Sequence, residues 1–206
     1  TAAALEAQYS EMLPAYLFQH IIVPEIYDLL TEVPASEKKA DGVVEGFSSR
    51  SGHYYKAADG FFAGHLGESP CPPDIPSGEF AAMRDTGDVV AAFFGHDHKN
   101  DFAGTYEGID LVNTTSTGFY IYGDREYHGA RLVILHENSP AEYETEMLYY
   151  KDLVSEPLPG GLTSVHGKYV ENIVIAAVAG LFVVIGTGVL VGTRIAKRKK
   201  RRNNKI

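Results

Sequence analysis

Three histidines in this sequence sit where their chemistry could count. His96 and His98 fall in "FFGHDHKND", one residue apart, directly after the apolar run "VVAAFF". His20 closes a second apolar run, "PAYLFQHI". On an extended backbone, residues i and i+2 project to the same side with Cα atoms roughly 6.6 Å apart. Metal–imidazole bonds are about 2.0–2.1 Å long, and the two ions of a dinuclear hydrolase lie roughly 3.5–4 Å apart. A His-x-His pair at a strand end can therefore give one ligand to each of two neighbouring ions. Gly95 lets the backbone turn there and come close to a site. The alternative is a solvated polar turn, which the composition of "GHDHKND" also suits. Two features favour metal. The pair follows an apolar strand, where open α/β sheets place their sites, and His20 ends an apolar run in the same way. His53, His65, His128 and His136 are scattered and read as surface or strand-end residues, and His166 as a solvated residue of a linker.

The elements that must position these side chains follow from periodicity. "PAYLFQHI" reads as a buried strand ending near His20, and "PEIYDLLTEV" as a helical turn or short helix. Residues 34–78, rich in Gly, Ser, Pro and charge, read mainly as a long loop. "SGEFAAMRDTG" has Ser77 as an N-cap candidate and Gly87 as a stop, which predicts a short helix. "DVVAAFF" predicts a fully buried strand, and "GIDLVNTT", "GFYIYG", "ARLVILH" and "EYETEMLYY" predict further strands joined by short turns. A helix, a buried strand and several hairpin-linked strands imply an α/β sandwich.

Charge is divided along the chain. All 27 acidic residues lie at or before Glu171, and eight of the 18 basic ones lie at or after Arg194. The acidic body argues against nucleic-acid binding, which needs a basic footprint. "IVIAAVAGLFVVIGTGVLVGT", Ile173 to Thr193, holds 21 residues and no charge. At ~1.5 Å per residue it spans roughly 31 Å, matching a bilayer core of about 30 Å. The basic run "RIAKRKKRRNNKI" behind it predicts a cytoplasmic flank, so the expected topology is a single-pass type I membrane protein with its body lumenal or extracellular. A glycolipid anchor signal would end without such a cluster. The predicted organisation is a folded part over 1–154, a Pro/Gly-containing linker over 155–172, a membrane helix over 173–193 and a basic tail over 194–206. Cys71 is the sole cysteine. That suits a reducing compartment, or equally a lumenal domain paired with a cysteine elsewhere.

Several stretches carry a family resemblance: "FQHI" with "PE" just after it, "GESPCPP", "SGEFAAMRDTGDVVAAFFGHDHKNDFAG", "STGFYIYG" and "GARLVIL". Together they resemble the C-terminal half of calcineurin-like metallophosphoesterases, on the branch related to purple acid phosphatases. The resemblance covers roughly Ala15 to His136 and is most specific from Gly87 to Gly104. It implies the second half of an αββα sandwich around a two-metal site. Of the five ligand blocks of that family, this sequence matches the lone histidine and Gly-His-x-His. The resemblance implies that His20 and His96 bind one ion and His98 the other, the ions being iron, zinc or manganese. The blocks Asp-x-His, Gly-Asp-x-x-Asp and Gly-Asn-His-Asp/Glu have no match and belong upstream of His20, as does the catalytic histidine. On that ground Thr1 reads as a truncation point.

The implied function is a membrane-anchored phosphoesterase acting on a phosphorylated substrate, with the fragment alone inactive. The alternative is a non-catalytic membrane protein of the same fold that serves in binding. Asp97 and Asp101 are candidates to orient metal-bound imidazoles, or simply to shape the turn, and Asn100 is a candidate substrate contact. "NTT" at Asn113 is a glycosylation sequon, usable only in a lumenal domain and placed near a predicted strand end.

Overall fold

A computed structural model describes residues 2–58, 60–119, 121–156, 158, 173–180, 186–187 and 192–194. Its centre is a five-stranded mixed sheet built from β1 (Ala15–Gln19), β5 (Phe61–Ala63), β6 (Val89–Phe94), β7 (Ala103–Tyr106) and β8 (Ile109–Asn113), in the order β1-β6-β8-β7-β5. β1, β6 and β8 run parallel, and β7 and β5 are antiparallel additions. The chain is thus a mixed α/β fold.

β6 explains why the sheet is covered on both faces. Its side chains alternate, Ala92 and Phe94 entering one core and Ala91 and Phe93 the other. The larger core adds Ile22, Ile26 and Leu29 from the segment after β1, and Phe80 and Met83 from the α-helix Glu79–Thr86. The second face is closed by the antiparallel hairpin of β9 (Gly129–Leu135) and β10 (Tyr143–Tyr149), through Val133 and Tyr143. Tyr143 packs edge-on against Tyr16 and Phe93, with ring centroids 5.5 and 5.6 Å apart. Such aromatic pairs contribute about 0.5–1.5 kcal/mol beyond their buried area.

The expected strand over "DVVAAFF" and the helix over "SGEFAAMRDTG" are both present. Gly87 closes the helix with a left-handed φ of 72° and donates its N–H to the Met83 carbonyl at 3.2 Å. The N-cap position falls on Gly78, while the Ser77 hydroxyl accepts the Glu79 N–H at 3.3 Å. "PEIYDL" forms a 3-10 helix, Pro24–Leu29, running straight into β2 (Leu30–Val33). The stretch 34–78 is more ordered than its composition predicts. β2, β3 (Val44–Glu45) and β4 (Tyr54–Ala57) form a separate antiparallel sheet, and β5 joins the main one. "GFYIYG" is expected as a strand, but its described residues, Gly118, Phe119 and Ile121 to Gly123, lie in no strand, whereas "AGTY" supplies β7.

The described residues through Leu158 belong to one unit, and those from Ile173 onward to a second. In the second, residues 173–180, 186–187 and 192–194 are helical. The rest of the expected membrane helix, and most of the linker and basic tail, lie outside the described residues. Among the described residues no helix is long and apolar enough to cross a membrane.

Candidate metal centre

Parallel register brings the histidines together. Gln19 of β1 pairs with Phe94 of β6, and Phe94 pairs with Asn113 of β8. The three strands therefore end at one rim. The residues leaving them are His20, the run Gly95–His98, and the run beginning at Thr114. This is the carboxyl edge at which open parallel sheets hold ligands. A concavity of about 560 Å³ opens there, with His20, His96 and His98 among its lining and Thr114–Phe119 on the other side.

His20 and His96 meet directly. Nδ1 of His96 lies 3.4 Å from Nε2 of His20, with the rings edge to face at a centroid distance of 5.2 Å. Two imidazoles on one tetrahedral ion, each bonded at about 2.0–2.1 Å, would hold their nitrogens roughly 3.3–3.4 Å apart. The observed 3.4 Å matches that separation, and it is equally the length of a direct N–H···N contact between the two rings. Burial, followed by the nearby His20 and His98, pushes the His96 pKa down. That favours the neutral ring whose lone pair a metal needs. Gly95 permits the approach, since a Cβ there would stand 3.2 Å from Nδ1 of His20.

The backbone around His96 is not extended. His96 has φ of +66°, and the Asp97 N–H donates to the Gly95 carbonyl at 2.8 Å. A non-glycine residue held in that region costs about 1–3 kcal/mol and persists only where its surroundings enforce it. The flat-strand geometry that the spacing suggests is therefore not the one adopted. The His98 Nδ1–H donates to the Tyr122 carbonyl at 3.0 Å, and its ring centroid lies 4.2 Å from that of Tyr122. Among the described residues, no three His, Cys, Asp or Glu side chains converge as a ready metal cage.

The polar residues flanking the pair bond within the loop and to a neighbouring stretch, which suits the turn-shaping alternative for Asp97 and Asp101. Asp97 is buried, and its carboxylate accepts the Cys71 N–H at 3.2 Å and the Asn100 amide at 3.3 Å. Burial pushes its carboxyl up to about 7; the Asn100 amide pulls it down, Glu68 raises it and the Cys71 N–H lowers it again. Asn100 is fully buried and accepts the N–H groups of Gly67 and Glu68, both at 3.0 Å. The Asp101 carboxylate takes the His65 N–H and the Tyr149 hydroxyl. These contacts tie the histidine loop to the stretch His65–Cys71. The bonds of Asp97 and Asp101 run to loop groups and a tyrosine rather than to the imidazoles, and Asn100 faces inward from solvent. Asn113 is likewise fully buried in β8, so its sequon is not displayed.

Three residues without any spacing signal also shape the rim. Glu68 accepts the Lys99 N–H at 2.9 Å and the Tyr122 hydroxyl at 3.4 Å. Thr115 donates its hydroxyl to the His98 carbonyl at 2.6 Å. Tyr122 supplies the carbonyl on His98. Glu68 lies within "GESPCPP" and Thr115 within the sequon, where neither is marked out as part of a site.

Comparison with known proteins finds partial relatives of this chain. Over 56 residues the chain is 43% identical to a protein of Arabidopsis thaliana named probable inactive purple acid phosphatase 14, covering 27% of this chain and 14% of that one. It is 36% identical over 73 residues to probable inactive purple acid phosphatase 28 of the same organism, covering 35% and 18%. A third protein there, probable inactive purple acid phosphatase 29, is 38% identical over 63 residues, covering 30% and 16%. The chain thus resembles purple acid phosphatase-like proteins over about a third of its length, and spans less than a fifth of the length of these relatives. No protein-family model and no solved structure matches it.

Proposed function

We propose that this chain is the C-terminal part of a membrane-anchored, metal-dependent phosphoesterase of the αββα sandwich type. The observation that carries the metal assignment is the 3.4 Å separation of the His20 and His96 nitrogens, the bite of a single ion. His20 and His96 would hold one ion and His98 a second, as iron, zinc or manganese; the remaining ligands and the catalytic histidine would come from sequence outside this chain. When bound, such ions would neutralise a phosphate ester and acidify the water that attacks it. This chain's own part is to present imidazoles at the strand rim, fix His98 through the Tyr122 carbonyl, and shape one wall of the cleft. The uncharged stretch 173–193 and the basic residues after it support a type I anchor.

A second reading has a specific observation in its favour. The three relatives carry names that call them inactive, and the donors on this chain form no complete cage among the described residues. A non-catalytic binding protein of the same fold would keep the rim and lose the turnover.

Zinc titration of the chain by calorimetry tests the metal assignment. Binding is expected and should weaken at least about tenfold in His20→Ala or His96→Ala, or ~1.4 kcal/mol; a wild-type chain that binds no zinc sinks it. Residues 1–170 alone are expected to hydrolyse no nitrophenyl phosphate with added divalent metal, and robust hydrolysis lost in His96→Ala would overturn that. Protease digestion of sealed vesicles tests the topology, which fails if the acidic body is cut from the cytoplasmic side.

A further inference from the structure

His98 is held by one stretch of chain at both its backbone and its ring. The Thr115 hydroxyl donates to the His98 carbonyl at 2.6 Å, and the Ser116 N–H donates to the same oxygen at 3.2 Å. Seven residues after Thr115, the Tyr122 carbonyl accepts Nδ1–H of His98 at 3.0 Å. The stretch is itself anchored, Thr114 N–H donating to the Phe94 carbonyl at 2.8 Å and Gly129 N–H to the Ser116 carbonyl at 3.1 Å. Thr115 is only 4% exposed, so water cannot readily replace its hydroxyl.

We propose that Thr115 is a positioning residue for His98. By gripping the His98 main chain, it sets the distance at which the Tyr122 carbonyl takes the Nδ1 proton. A neutral imidazole carries one N–H, so a bond from Nδ1–H leaves the lone pair on Nε2. Histidines that ligate metals commonly offer their other ring N–H to a carbonyl or carboxylate in this way, which fixes both tautomer and ring orientation. Loss of the Thr115 hydroxyl would leave the His98 carbonyl with the Ser116 N–H alone. The loop would then relax, and with it the geometry at Tyr122. The inference deepens the proposed function and rests on it in one respect, that His98 serves as a ligand to a second ion.

The test reads the tautomer directly. Long-range nitrogen–proton NMR spectra are recorded on the full 206-residue chain in detergent, at about pH 8, where an ordinary imidazole is neutral. In the wild type and in Thr115→Ser, His98 is expected in the Nδ1–H form in nearly all molecules. In Thr115→Val, and in Thr115→Ala, which adds no bulk, that form should fall to roughly half or less. The inference is overturned if both variants keep the wild-type pattern, or if the wild type carries its His98 proton on Nε2. A residue that merely shapes the turn would lower stability in these variants without moving the tautomer. Zinc titration of the same samples separates the two levels. A His98 pattern that follows Thr115 in a chain binding no zinc upholds this inference and sinks the metal assignment. Zinc binding with a pattern indifferent to Thr115 does the reverse.

Discussion

Nδ1 of His96 and Nε2 of His20 face each other across 3.4 Å although 76 residues separate them in sequence. The register Gln19↔Phe94 between parallel strands creates this meeting, because it makes both strands end at the same height. The rim should therefore behave as a unit. Removing either ring ought to weaken zinc by a similar factor, and the double variant His20→Ala/His96→Ala should lose little more than each single one. Fully additive losses in calorimetry would mean that the two rings do not share an ion.

Gly95 lies against the His20 ring. A methyl group there would sit 3.2 Å from Nδ1 of His20, tighter than ordinary van der Waals contact. His20 is exposed, so its ring can swing away at modest cost. Gly95→Ala should therefore lower the unfolding free energy by no more than about 1 kcal/mol while weakening zinc at least about fivefold. A large loss of stability with zinc binding intact would show that Gly95 serves the fold and not the site.

Much of this arrangement is legible in the sequence because it rests on local patterns. "VVAAFF" is buried on both faces and announces a central strand, Gly87 ends the helix before it, and apolar runs that stop at His20 and His96 mark strand ends. What is not legible is decided by contacts between distant segments. "AGTY" is nearly featureless as a strand and becomes β7 by pairing with β8. "GFYIYG" is an aromatic and β-branched run that suits a strand, yet its Tyr122 carbonyl bonds to His98 instead. The left-handed φ of His96 breaks the flat-strand geometry that spacing alone suggests. Asp97, Asn100 and Asp101 look like site residues because they are polar and adjacent to histidines. They instead satisfy the backbone of the stretch 65–71, a partner that spacing within "GHDHKND" cannot reveal.

Asn113 carries a sequon that the fold hides. Its side chain is fully buried, its N–H donates to the Phe102 carbonyl at 2.9 Å, and its carbonyl accepts the Arg131 guanidinium. Expressed through a secretory pathway, the chain should carry no glycan at this position, and glycosidase treatment should leave the gel mobility of wild type and Asn113→Gln identical. Among the described residues the side-chain amide also has no partner at either atom. Leaving such a group buried costs about 1–3 kcal/mol, and an apolar replacement of similar shape can recover part of it. Asn113→Leu should therefore raise the unfolding free energy by about 1 kcal/mol. A destabilised variant in chemical denaturation would mean that the amide is satisfied after all.

Two tyrosines of β10 bond to carboxylates, one on β8 and one in the loop before β7. The Tyr143 hydroxyl donates to Asp110 at 2.7 Å and the Tyr149 hydroxyl to Asp101 at 2.8 Å. Burial, reinforced by the bond to each carboxylate, pushes both phenols well above their ordinary value of 10.0. The native state therefore holds these protons more tightly than the unfolded chain does. The stability they contribute is fully present below about pH 10 and is lost as pH rises beyond it toward the folded-state pKa values. Followed by phenolate absorbance, most tyrosines should ionise near their ordinary value, with these two delayed until the hairpin releases. Tyr149→Phe should cost about 1–2 kcal/mol at neutral pH, the worth of a hydrogen bond to a charged acceptor in a half-buried setting. It should also flatten the fall in stability between about pH 10 and 12. If the variant unfolds along the same alkaline curve as the wild type, Tyr149 is not what ties β10 to Asp101.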